Sequence, residues 1–302
     1  MPPAGERRAP HLRRSWLFVG GSDEAALTAA GASGADVVIL ELEDFTPPAE
    51  RAGARSCAAD LFERWRARGI IAAARVNPLE AADGPLDLEA VMAGRPDVVL
   101  LPKVADPAQV ARLDQEVTRL EKVYGVADGA TELVPNIELA RGLIQTFAIC
   151  QISPRITSAL VASEDMAADL GAERGRDGLE LDYVRRRFIV ECTAAGVPAI
   201  DCPYTWSDVL GQEMDTKFAR RLGYKSKSLV DPAHAEVVNR VLTPSSAEID
   251  HAERVITAFE AAQAEGSGRV EVDGSLVEVP IFMNAKRLLE RARQLGVMDV
   301  SG

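Results

Sequence analysis

The chain has 302 residues, 47% of them hydrophobic, enough to bury a sizeable core, so disorder is excluded as its main state. Its 34 Lys and Arg face 46 Asp and Glu, for a formal charge of −12, which argues against nucleic acid or an anionic membrane as principal partner. No apolar run approaches the roughly 20 residues of a membrane span, and the run Trp16 to Gly21 is too short for a secretory core, so a soluble cytoplasmic protein is expected.

Short β-branched or apolar runs alternate with longer amphipathic ones along most of the chain. The predicted strands are Trp16–Gly20, Val37–Glu43, Ile70–Asn77, Asp97–Val104, Leu133–Glu138, Ala159–Asp165, Ala199–Tyr204 and Ser228–Asp231. Between them lie helical stretches including Pro48–Arg68, Pro107–Tyr124, Leu179–Ala195 and Ser207–Leu222. Eight such units in about 240 residues fit an α/β fold of the (β/α)8 barrel type, with a doubly wound open sheet as runner-up. Beyond Pro244 the repeat stops: Ser246–Ala264 reads as a helix, Glu265 to Gly268 as a break, Arg269–Val279 as a hairpin turning at Asp273-Gly274, and Ile281–Leu295 as a last helix. The expected organisation is a catalytic barrel over 1–244 and a helical, lid-like extension over 245–302.

Several chemistries are disfavoured. The four cysteines have no zinc-site spacing, only His11, His234 and His251 exist, and hydrolase-elbow, P-loop and dinucleotide glycine motifs are lacking. Barrel active sites sit at strand C-termini, and here six strands end in chemistry-capable side chains: Glu41-Leu-Glu-Asp44, Arg75-Val-Asn77, Pro102-Lys103, Asn136-Ile-Glu138, Glu164-Asp165 and Asp231. Alternation turns Val37, Ile39, Glu41 and Glu43 to the barrel axis and sets Arg75 beside them, to pair with them or hold a substrate carboxylate. It groups Lys103 with Val99 and Leu101, and Glu138 with Asn136. Of Glu164 and Asp165 only one can face inward, and periodicity does not choose. Carboxylates on strands five and six without His or Cys suit a hard, partly hydrated cation, Mg²⁺ with Mn²⁺ as alternative, in a lyase or isomerase of small carboxylic acids.

Arg14-Ser-Trp-Leu-Phe-Val19, Leu42-Glu-Asp44 with Pro47 and Arg55, Arg75-Val-Asn77, Leu101-Pro-Lys103, Ile137-Glu138 with Ala140-Arg-Gly142, and Glu164-Asp165 with Ala168-Asp-Leu-Gly171 occur in the order of one family. Gly223-Tyr224 through Lys227 and Pro232 extends the match to the eighth strand. The chain resembles the citrate lyase β-subunit-like branch of the HpcH/HpaI aldolases, with its malyl-CoA and citramalyl-CoA lyases. The resemblance implies Glu138 and Asp165 as Mg²⁺ ligands and Arg75 as the grip on substrate oxygens. It also implies that Glu43 and Asp44 order water and Arg75, and that Lys103 lies near the site floor. Glu278 falls where CoA-lyase members carry a lid Asp into a neighbouring subunit, so a homo-oligomer, trimer or hexamer, is expected.

The chain departs from the family pattern at Ser226, at Asp231 where His is usual, at Gly20 where Pro is usual, and at Ala162 and Glu278. The implied activity is Mg²⁺-dependent carbon–carbon cleavage of a 3-hydroxyacyl thioester of CoA or an acyl carrier, giving a 2-oxo acid. The alternatives are a thioester hydrolase, a pyruvate-type aldolase, or a non-catalytic ligand-binding member. For an anionic tail Arg13 and Arg14 are the candidates, Arg14 being assigned to substrate binding; Arg185-Arg-Arg187 reads as a solvated helix face, and Asp231 as an ion-pair partner of Lys227.

Overall fold

The computed structural model describes residues 7–298. Eight parallel strands close into a barrel in chain order: β1 Ser15–Gly20, β2 Val37–Glu41, β3 Ile71–Arg75, β4 Val98–Leu101, β5 Glu132–Ile137, β6 Ala159–Val161, β7 Ala199–Asp201 and β8 Ser226–Leu229. Pairing of β1 with β8, Ser15 opposite Lys227, completes the ring and excludes the open sheet. The helices around it are α1 Glu24–Ala32, α2 Arg51–Arg66, α3 Asp83–Ala93, α4 Pro107–Tyr124, α5 Ala140–Leu143, α6 Thr146–Cys150, α7 Glu164–Leu170, α8 Asp182–Ala195, α9 Val209–Leu222 and α10 Ala235–Leu242.

The two-residue period of a strand sorts the apolar side chains into two layers. Trp16, Phe18, Val37, Ile39, Ile71, Ala73, Val98, Leu100, Val134, Leu160 and Ile200 fill the barrel, whereas their neighbours Leu17, Val38, Ala72, Val99 and Leu101 pack under the helices. Each fully buried aliphatic or aromatic side chain contributes about 1.5–3 kcal/mol. Because the interior is packed apolar matter, polar side chains of the same parity are driven to the rim where the strands end. The helices start on local signals: Asp106 and Gln109 form a capping box for α4.

The strands are shorter than their hydrophobic runs. Predicted strand two reaches Glu43, but the ladder stops at Glu41 because that carboxylate turns back onto the amides of Glu43 and Phe45. Predicted strand six stops at Val161, so Glu164 and Asp165 lie in the first turn of α7. Strand eight begins at Ser226 and ends at Leu229, leaving Asp231 beyond it.

The chain divides into two compact units, one ending at Leu242 and the other starting at Thr243. The second consists of α11 Ser246–Ala264, the antiparallel pair β9 Arg269–Val272 and β10 Ser275–Glu278, and α12 Val279–Gln294. The hairpin turns at Asp273 and Gly274, both at positive φ, 52° and 77°. It has its own core of Ile249, Val255, Phe259, Val272, Val277, Phe282 and Leu289, with Phe259 and Phe282 stacked at 4.7 Å. No helix among the described residues is long and apolar enough to cross a membrane.

Candidate active site

The rim at the C-terminal ends of β2 to β6 gathers the charges. Arg75, last residue of β3 and directly opposite Glu41 in the ladder, is buried at the centre. Its Nε donates to Glu41 Oε1 at 2.9 Å, and its Nη1 donates to Glu138 Oε1 at 3.2 Å and lies 3.4 Å from Glu43 Oε2. Nη2 makes the longest contact, 3.5 Å to Asp44 Oδ2. The rings of Phe18 and Phe45 lie 5.0 and 6.0 Å from the guanidinium carbon. Three carboxylates around it hold the Arg75 pKa above its ordinary value, although burial alone would lower it.

Glu41 is not available to a ligand. Its Oε1 accepts from the Glu43 amide at 2.7 Å as well as from Arg75, and its Oε2 accepts from the Phe45 amide. Thr46 Oγ1 donates to the Glu41 carbonyl and accepts from the Gly21 amide. Glu41 thus builds the tight loop that presents Glu43, Asp44 and Phe45.

Lys103 Nζ donates to Glu43 Oε1 at 2.7 Å and lies 3.6 Å from Asp44 Oδ1. This revises the parity expected from the sequence, because Val99 and Leu101 face the helices and strict alternation would send Lys103 with them. Lys103 has φ 51°, a left-handed backbone that re-aims the side chain toward the mouth. Burial of Lys103 would lower its pKa, but Glu43 and Asp44 outweigh that and raise it.

Glu138 follows β5 and is fully buried. Desolvation, reinforced by the charges of Glu43 and Asp165 and opposed by Arg75, pushes its pKa up to about 8. Its Oε2 has no hydrogen-bond partner, and neither has Glu43 Oε2, while the Glu43 carboxyl is likewise raised by burial. Asp165, half-buried on α7, places its charge within reach of both Glu138 and Lys103. Its neighbour Glu164 is exposed and tied to Arg174 and Thr205.

These residues fit a divalent cation. Glu138 Oε2, buried without a hydrogen bond, and Glu43 Oε2, with only a 3.4 Å ion pair to Arg75, are costly in a region with more acids than bases unless a further cation compensates them. No group of three or more His, Cys, Asp or Glu among the described residues is arranged to hold a metal ion by itself. An ion on Glu138 and Asp165 would therefore take its other ligands from water or substrate, as Mg²⁺ commonly does.

Four sequence expectations are corrected. Arg14 precedes β1, so it sits at the opposite rim, where it clamps Asp36 through Nε and Nη2 at 2.9 Å each. Arg13 there pairs with Glu132 at 2.6 and 2.8 Å, so both arginines are structural. Asp231 does not pair with Lys227; it caps a short turn through the Ala233 amide at 2.9 Å, and Lys227 is held by Asp201 and Asp215. Arg185 is buried against Asp201 and Asp215 rather than solvated, whereas Arg186 and Arg187 pair with Asp182 and Glu191 on their own helix. Glu278, exposed at the end of β10, belongs to the second unit. Phe45 was missed, and its place straight after Glu43-Asp44 was the available signal.

Fold and rim together define a (β/α)8-barrel protein whose mouth presents a buried arginine among excess carboxylates, a class suited to small carboxylic acids. The HpcH/HpaI aldolase/citrate lyase family model matches residues 14–232, and the chain belongs to that family. Citrate lyase subunit beta of Leuconostoc mesenteroides subsp. cremoris is 32% identical over 292 residues, covering 96% of this chain and 97% of that protein. A (3S)-malyl-CoA thioesterase of Cereibacter sphaeroides is 30% identical, covering 96% and 98%. The crystal structure of protein CitE from Mycobacterium tuberculosis in complex with magnesium, acetoacetate and coenzyme A is similar at TM-score 0.74 and 28% identity, covering 93% of this chain and 98% of that one.

Proposed function

We propose that the protein is a Mg²⁺-dependent carbon–carbon lyase that cleaves a 3-hydroxyacyl thioester, such as a malyl-CoA-like or citramalyl-CoA-like compound, into a 2-oxo acid and an acyl thioester. The observation that carries the reading is the buried Glu138 with its unpartnered Oε2 beside Arg75 and Asp165. The magnesium named with the CitE structure supports the choice of ion, and Mn²⁺ suits the same hard oxygen donors. Held by Glu138 and Asp165, Mg²⁺ would supply Lewis-acid stabilisation of the oxyanion that develops as the hydroxyl proton leaves.

Arg75 binds and orients the carboxylate next to the hydroxyl-bearing carbon, charge-assisted and fixed in direction by Glu41. Glu43, with an oxygen that accepts no hydrogen bond and a raised pKa, accepts the hydroxyl proton; the C–C bond then breaks, releasing the 2-oxo acid and leaving a thioester enolate. Lys103 holds Glu43 in place and lies close to Asp44 as well. Glu278, delivered from a neighbouring copy in a trimer or hexamer, protonates the enolate carbon. The thiol is carried by CoA or by an acyl-carrier protein.

A second reading, thioester hydrolysis, is favoured by the likeness to the (3S)-malyl-CoA thioesterase. One assay separates the two: purified protein with Mg²⁺ and malyl-CoA or citramalyl-CoA, following 2-oxo acid and free thiol independently, with Asp165→Ala as control. 2-Oxo acid without thiol, lost in the variant, is the expected result. Thiol without 2-oxo acid would establish the hydrolase instead, and neither product from either thioester would refute a lyase acting on these CoA thioesters.

A further inference from the structure

Phe45 is a large aromatic side chain, 45% exposed, at the mouth of a site rich in charges. Its exposure is not that of a loose loop residue. Its amide is bound by the Glu41 carboxylate, the next residue Thr46 is bonded to both Glu41 and Gly21, and its ring meets Phe18 edge-on at 6.4 Å between centroids.

Gly20, the last residue of β1, makes this approach possible. A Cβ there would stand 2.6 Å from the Phe45 carbonyl oxygen and 3.4 Å from the Phe45 Cβ, so any side chain would push the loop outward. The glycine and the phenylalanine are one device: the missing Cβ lets the loop close on β1, and closure sets the ring 6.0 Å from the Arg75 guanidinium carbon.

The guanidinium is committed on its inner edge to Glu41 and Glu138, and its weakest contact is Nη2 to the exposed Asp44, the residue before Phe45. A carboxylate arriving from solvent therefore meets Arg75 beside the Phe45 ring. Resting on the lyase reading above, we infer that Phe45 is a specificity-determining residue. Its ring gives the Arg75 grip an apolar flank that selects a 2-oxo acid with hydrogen or methyl on the carbonyl carbon over one bearing a second carboxylate.

The physical reason is desolvation. A methyl group gains by covering the ring, whereas a second carboxylate there would lose water, gain no hydrogen bond from the ring, and lie near Glu43, Asp44 and Glu138. Lys103, the other base beside these carboxylates, is already shared by Glu43 and Asp44.

The test is calorimetric binding of pyruvate and of freshly prepared oxaloacetate in Mg²⁺ buffer to the wild-type protein and the F45A and F45L variants. The expected result is a wild-type preference for pyruvate of about tenfold or more, which shrinks at least severalfold in F45A and persists in F45L, where an apolar flank remains. Parallel thermal melts identify any variant that is not folded, and F45S, which also removes the apolar flank and is expected to lose the preference in the same way, replaces F45A in the comparison if F45A does not fold. Equal or tighter binding of oxaloacetate to the wild type, or an unchanged ratio in folded F45A, overturns the inference while leaving the lyase reading intact. If neither acid binds to the folded wild type, the lyase reading fails and this inference fails with it.

Discussion

Two charged clusters in this barrel use the same residue types to opposite ends. Behind β7 and β8, Arg185 and Lys227 meet Asp201 and Asp215. Charges balance, and each carboxylate oxygen accepts a hydrogen bond or ion pair of 2.6 to 2.9 Å. The Asp215 pKa is lowered, since Lys227 and Arg185 outweigh the burial that would raise it. At the mouth, Glu41, Glu43, Asp44, Glu138 and Asp165 face two bases among the described residues, Arg75 and Lys103; Glu138 Oε2 has no hydrogen-bond partner, Glu43 Oε2 has only a 3.4 Å ion pair to Arg75, and Glu43 and Glu138 titrate upward. A neutral, saturated cluster spends its charge on the fold. One with excess charge and unmade bonds holds it for a ligand.

The sharpest way to break this contrast is to delete one partner from each cluster. Lys227→Ala should cost about 3–5 kcal/mol in urea unfolding or prevent soluble expression, because it strands buried carboxylates. Glu138→Gln should melt no lower than wild type in metal-free buffer, yet lower kcat on the order of a hundredfold or more. If Glu138→Gln is the more destabilising of the two, the division into structural and functional clusters is wrong.

The next effect reads the ion directly. Mg²⁺ at a hundred times its Kd should stabilise the wild type by about 2.7 kcal/mol and leave Asp165→Ala unmoved, measured by thermal shift with and without chelator. A smaller effect sharpens the saturated side through another buried pair. Burial would raise the Glu132 pKa, but Arg13 and Thr157 outweigh it and hold the group below 4.5. A carboxyl lowered on folding contributes stability present above its unfolded pKa and lost as pH falls through the folded one. Stability should therefore decline below pH 4.5, less steeply in Glu132→Gln, as followed by denaturant midpoints. Smallest of all, Asp231→Ala removes only a turn cap and should cost about 1 kcal/mol or less by the same measurement.

Much of the barrel was legible because its signal is local and periodic. The eight apolar runs became the eight strands, and the inward parity of Val37, Ile39 and Glu41 held, as did the placing of Arg75 beside Glu41. What failed did so where a side chain or an unusual backbone angle interrupts the period. Alternation cannot foresee that Glu41 folds back on its own loop, that Lys103 adopts a left-handed turn, or that strand six gives way to a helix before Asp165. Arg14 and Arg185 were misjudged for a different reason. A basic residue near a strand or on a helix looks the same in sequence whether it meets a ligand or a buried aspartate, and only the partners Asp36, Asp201 and Asp215 decide.

The left-handed turn at Lys103 has an evolutionary consequence. Since that ammonium reaches Glu43 through one backbone angle rather than through the alternation of β4, the reach of the lysine is uncoupled from the register of the strand that bears it. Residues along β4 can drift to suit the helices packed on them without dragging the mouth along. The mouth can be re-tooled at a single hinge without disturbing the ladder beneath. Chemistry and scaffold are thereby open to separate selection on one strand.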